Sequence, residues 1–102
     1  LDDVRAKVAV LPVVPDNRFA HAFTHVFGGG YAAGYYSYKW AELLSSDAFS
    51  RFEENGLFDR ASGMAFRDNI LARGGTEEAS VLYERFRGRP ANNEALVRHN
   101  GL

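Results

Sequence analysis

Among its 102 residues the sequence has no cysteine, three prolines, one methionine and one tryptophan. Without cysteine, disulfides, thiolate chemistry and cysteine-type zinc sites are excluded, and a reducing compartment is allowed. Neither charge sign dominates: 12 Lys and Arg face 13 Asp and Glu, for a net charge of −1. That balance makes no electrostatic case for nucleic acid or for an anionic membrane. The apolar runs fall far short of the ~20 residues that span a bilayer. Alternation of apolar and polar residues at the period of a strand is missing too, as are internal repeats and low-complexity runs. The chain also lacks an initiator methionine, and its opening LDDVRAKVAV already reads as helix. It therefore reads as a piece of a longer protein.

What the chain does have is helical periodicity and aromatic rings. Eight Phe and five Tyr bring the aromatics to 14%. One domain of this size has a modest core, so some of those rings should remain exposed. Asp2 or Asp3 can cap a short helix carrying Val4, Val8 and Leu11, which Pro12 and Pro15 end. Phe19, Phe23 and Phe27 recur at i, i+4 and i+8, with His21 and His25 also four apart. The spacing predicts one short helix over 19–27, broken by Gly28, Gly29 and Gly30. A long helix should start near Tyr31 to Tyr35 and run to Asn55, with Trp40, Leu44, Ala48 and Phe52 as its apolar stripe. Asp47 falls off that stripe. Gly56 supplies the stop. A further helix fits Arg60 to Arg73, capped by Asp59. Another follows a Thr76 cap and carries Ala79, Leu82, Tyr83 and Phe86. Asn92 or Asn93 can cap a last one, Glu94 to His99. The class is all-α.

The unusual stretch is His21 to Trp40, HAFTHVFGGGYAAGYYSYKW, with two histidines, four glycines and four tyrosines in twenty residues. A dinucleotide loop fails here, because the third glycine position holds Ala33 and no strand precedes it. A P-loop fails because Tyr35-Tyr36 follows Gly34 where Lys-Ser/Thr is needed. His21 and His25 have the i, i+4 spacing of two zinc ligands on one helix face. However, Ala22 stands where a zinc peptidase has its glutamate base, and no third ligand is placed. Local hydrogen bonding is the favoured reading for both, and no metal ligand is assigned. Tyr31, Tyr35 and Tyr38 would form a single stripe on one helix. Such stripes are most often core aromatics. The glycines beside them, however, let backbone approach closely and expose N–H groups. Loop and phenols together read as a platform for an extended peptide, since a phenol stays protonated at neutral pH and can donate to a developing oxyanion.

The run G-G-G-Y-A-A-G-Y-Y-S-Y-K-W, with FTHVF before it and FRDNILARGGTEEASVLYERFRGRPANNEALVRHNGL downstream, resembles the C-terminal region of the thimet oligopeptidase family of zinc metallopeptidases. The likeness is greatest to its oligopeptidase A branch, then to its dipeptidyl carboxypeptidase branch, and covers nearly the whole chain. It implies the all-α C-terminal portion of a larger, two-lobed, cytoplasmic enzyme of the zincin type that cleaves short peptides. It further implies a glycine-rich substrate loop over 28–34, a tyrosine helix over 35–55, and the remaining lobe of the same polypeptide as a partner. Zn2+ is implied for the full-length enzyme, with its H-E-x-x-H ligands outside this chain. The fragment alone should then be inactive. Tyr38 matches the family tyrosine that donates to the oxyanion, and Tyr31 one that contacts substrate close to the zinc. His25 matches the histidine that holds the peptide backbone; Tyr35 lines the channel; Gly28, Gly29, Gly30 and Gly34 form the adapting loop. The alternative is a non-catalytic helical module that binds peptide or protein.

Overall fold

The computed structural model describes residues 1–102, which form helices and turns and no strand, as the helical periods require. Two units divide the chain, Leu1–Tyr35 and Tyr36–Leu102. No helix is long and apolar enough to cross a membrane.

The first unit opens with α1, Asp2–Val8. Asp2 and Asp3 lie inside its first turn, where the macrodipole favours them, and neither caps it. Ala9 turns to extended backbone, so Leu11 lies beyond the helix. Asn17 Oδ1 accepts the Phe19 N–H at 2.8 Å and starts α2, Phe19–Ala22. The single helix expected over 19–27 is not formed. Phe23, with ψ 69°, breaks it, and a 3₁₀ turn, Thr24–Val26, follows. The break therefore precedes the glycines.

The second unit is built on α3, Ser37–Asn55. It starts two residues after the predicted 35–55 and stops where expected, at Gly56 with φ +112°. Asp59 caps α4, Arg60–Phe66, by accepting the Ser62 N–H at 2.7 Å. The helix expected to reach Arg73 changes pitch at Arg67. Arg67–Leu71 is a π-helical turn, closed by the Ala72 N–H on the Arg67 carbonyl at 2.8 Å. The Asn69 side chain donates to the Ala65 carbonyl at 2.9 Å, taking the acceptor that a regular helix assigns to its own N–H. Thr76 does not cap the next helix. Its hydroxyl donates back to Arg73 at 2.7 Å, and α5, Ala79–Arg87, begins after Glu78. Glu77 lies outside α5 in an ion pair with Arg85 and Arg73, which hold its carboxyl down at about 2. Asn92 accepts the Glu94 N–H at 3.0 Å at the head of α6, Glu94–His99.

The face that α3 buries is not the apolar stripe. Asp47 is fully buried and Ser50 nearly so, while Trp40 remains 59% exposed. Leu44 and Phe49 are also exposed. The reason lies at the end of α5. Arg89 forks onto both Asp47 carboxylate oxygens at 2.9 and 2.5 Å, and Tyr83 Oη donates to Oδ2 at 2.7 Å. Burial alone would raise the Asp47 carboxyl, but these hydrogen bonds and the Arg89 charge outweigh it and hold it below the ordinary aspartate value. Burial and the Asp47 charge push the Tyr83 phenol up, so it stays a donor. Arg87 adds Ser50 Oγ at 2.9 Å and the Glu54 carboxylate. Buried apolar residues are few: Leu82, Phe86 and Ala95. The unused stripe instead lines an open apolar groove of about 600 Å³, with Trp40, Leu44 and Ala48 on one side and Phe66 and Ile70 on another.

Gly88 lets Arg87 and Arg89 both reach α3. It takes the left-handed C′ position of α5, φ +79°, and a Cβ there would touch nothing within 4 Å. Gly88→Ala is therefore a pure backbone test. It should lose about 1–2 kcal/mol of stability in urea titration, the cost of a left-handed L-residue.

Candidate functional site

In the first unit, short-range backbone bonds fold the glycine segment into successive turns. The Gly28 N–H donates to the Thr24 carbonyl at 2.8 Å and closes the turn that carries His25. Gly29, at φ +70°, opens a second 3₁₀ turn, Gly29–Tyr31. The Gly34 N–H then returns to the Tyr31 carbonyl at 2.9 Å, with Ala33 between them at φ +56°. A left-handed alanine costs about 1–2 kcal/mol, and this one turns Tyr35 back toward Tyr31.

Three site rings gather as a result. His25 lies 5.9 Å from Tyr31 and 6.0 Å from Tyr35, and the two tyrosines meet edge to face at 6.0 Å. Phe23 closes the back of the group, edge-on to Tyr35 at 4.6 Å, and stacks on Phe19 at 5.0 Å. The expected helical stripe of Tyr31, Tyr35 and Tyr38 is thus corrected. Tyr31 and Tyr35 meet across a turn, and Tyr38 alone of the three stands on α3, in its first turn. The only sequence signal for Phe23 as a support is its four-residue spacing to Phe19.

Of the four glycines only Gly29 needs a positive φ. At Gly28 and Gly34 a Cβ would make ordinary contacts with backbone oxygens at 3.6–3.9 Å. At Gly30 the space is fully open: its φ is ordinary and a Cβ there meets nothing. Nothing in the fold of this chain requires glycine at that position.

The phenols and the imidazole can donate and accept hydrogen bonds, and the half-open rings of Tyr31 and Tyr35 offer apolar faces. No three His, Asp or Glu side chains gather to hold a metal, and His21 and His25 lie on separate elements. The zinc implied by the resemblance therefore does not fit the residues of this chain.

Comparison with known proteins agrees with the motif. Oligopeptidase A of Escherichia coli K12 is 55% identical over the whole chain. The organellar oligopeptidase A of Arabidopsis thaliana is 52% identical over 97% of it. Dipeptidyl carboxypeptidase of E. coli is 41% identical over 98%. The chain spans only 13–15% of the length of these relatives. The profile of peptidase family M3 matches residues 1–102, end to end, and the chain belongs to that family.

Proposed function

We propose that this chain is the substrate-facing part of a zinc oligopeptidase that hydrolyses short peptides, and that it supplies binding and oxyanion-stabilising groups without the metal site. The observation that carries the reading is Gly30, a glycine without an internal reason, beside three rings able to hydrogen-bond. A glycine that the fold does not need suits close approach by a partner's backbone. His25, Tyr31 and Tyr35 then hold an extended peptide over Gly28, Gly29, Gly30 and Gly34. Tyr38 donates its phenolic hydrogen to the carbonyl oxygen as that oxygen gains charge, and Tyr31 assists. Zinc is held elsewhere in the polypeptide, and the remaining lobe covers the apolar groove of the second unit. Freed from that lobe, the chain self-associates through the same groove.

Hydrolysis of an internally quenched peptide tests this. The full-length polypeptide should cleave it and the 102-residue chain should not. Cleavage by the chain alone would refute the division of labour. Gly30→Ala in the full-length enzyme should raise KM about tenfold by blocking backbone approach. Its stability should hold or rise slightly, because alanine fits the backbone there and restricts the unfolded chain. An unchanged KM would remove the argument from Gly30.

A further inference from the structure

The buried polar cluster of the second unit lies at a distance from the proposed chemistry but on the same helix. Nine residues separate Asp47 from Tyr38. At about 100° per residue the two side chains leave α3 on opposite faces, about 14 Å apart along the axis. The Asp47 carboxylate takes the Arg89 fork and the Tyr83 hydroxyl. Its backbone carbonyl accepts from Arg87 Nε at 3.2 Å and from Ser50 Oγ at 2.7 Å. One turn further on, Arg51 donates to the Phe86 carbonyl, and Arg87 reaches Glu54. Every buried polar side-chain atom has a partner.

A bidentate fork accepts one geometry, whereas an apolar stripe tolerates small slides and rotations. Only the Asp47 side of the pair is buried, Arg89 being 36% exposed; desolvating that carboxylate offsets much of what the pair would otherwise supply, and fixing a register is the best-attested use of such a pair. We propose that Asp47, Arg89 and Tyr83 are positioning residues that fix the rotation and axial height of α3, and thereby deliver Tyr38 from the opposite face. This rests on the reading of Tyr38 as oxyanion donor. The clamp acts only through the helix and touches no substrate. Arginine is required at 89, since lysine offers a point charge in place of a fork.

The test uses the full-length enzyme with 3-fluorotyrosine incorporated at position 38. Asp47→Asn should shift or split the fluorine resonance at unchanged circular dichroism. It should also lower kcat about tenfold to a hundredfold, as for a misplaced catalytic group, with KM within about twofold. In a Tyr38→Phe background the same substitution should cost less than about twofold more, because both changes remove one function. Arg89→Lys serves identically should Asp47→Asn fail to fold. An unmoved resonance, or kcat losses that simply multiply, would overturn the positioning role. A Tyr38→Phe enzyme with full turnover would instead remove the oxyanion reading, and the resonance would still decide whether the clamp places Tyr38.

Discussion

Tyr38→Phe in the full-length peptidase is expected to lower kcat about a hundredfold to a thousandfold, the usual cost of one oxyanion donor. KM should stay within about twofold, because the hydrogen bond gains its strength only as the carbonyl oxygen acquires charge. Phenylalanine keeps the ring and loses one oxygen. Tyr38 stands in the first turn of α3 and is 51% exposed, so the substitution opens no cavity in the core. Tyr31→Phe and Tyr35→Phe provide the contrast. Phenylalanine keeps their ring contacts with His25 and with each other, so Tyr35→Phe should act on KM more than on kcat, while Tyr31→Phe, which loses only the assisting donor, should lower kcat less than Tyr38→Phe does. Equal turnover for Tyr38→Phe and the parent would end the oxyanion role. A raised KM with unchanged kcat would make Tyr38 a binding residue like Tyr35.

The helices were legible where the signal is local. Asn55-Gly56, Asp59 and Gly88 mark ends and caps that need only neighbouring residues, and the structure has them there. Legibility failed where a side chain competes with the helix, as Asn69 does at Ala65. It failed again where the apolar pattern has two possible uses. Trp40, Leu44 and Ala48 keep helical period, yet they line an open groove. The face that packs within the chain is centred on Asp47, whose partners Tyr83 and Arg89 lie 36 and 42 residues downstream. A lone aspartate among apolar residues reads as solvent-facing, and only the run E-R-F-R-G-R-P, three arginines around one glycine, hints at a buried anion. The family was legible through the motif as a resemblance. The geometry of the site was not, since a left-handed Ala33 is outside what alanine normally signals.

Phe86→Ala should be the most destabilising single truncation in the chain. Phe86 is fully buried, one of few apolar side chains that are. Its ring meets Phe66 edge to face at 5.3 Å, and the Arg51 guanidinium lies over it at 4.9 Å. It thus joins α3, the end of α4 and α5 in one contact. Alanine removes both ring contacts and leaves a cavity that neighbours pinned by polar bonds cannot fill. The expected loss is about 3–5 kcal/mol, the range for buried Phe→Ala. A domain of this size has only about 5–15 kcal/mol in total, so the variant should be largely unfolded in moderate urea. Phe58, 99% exposed, is the control, and Phe58→Ala should stay within about 0.5 kcal/mol of the parent in the isolated chain. Similar midpoints for the two variants would mean that the second unit is held by its polar clamp alone. In that case Asp47→Ala, which removes the carboxylate that Tyr83 and the Arg89 fork share, would take the larger loss.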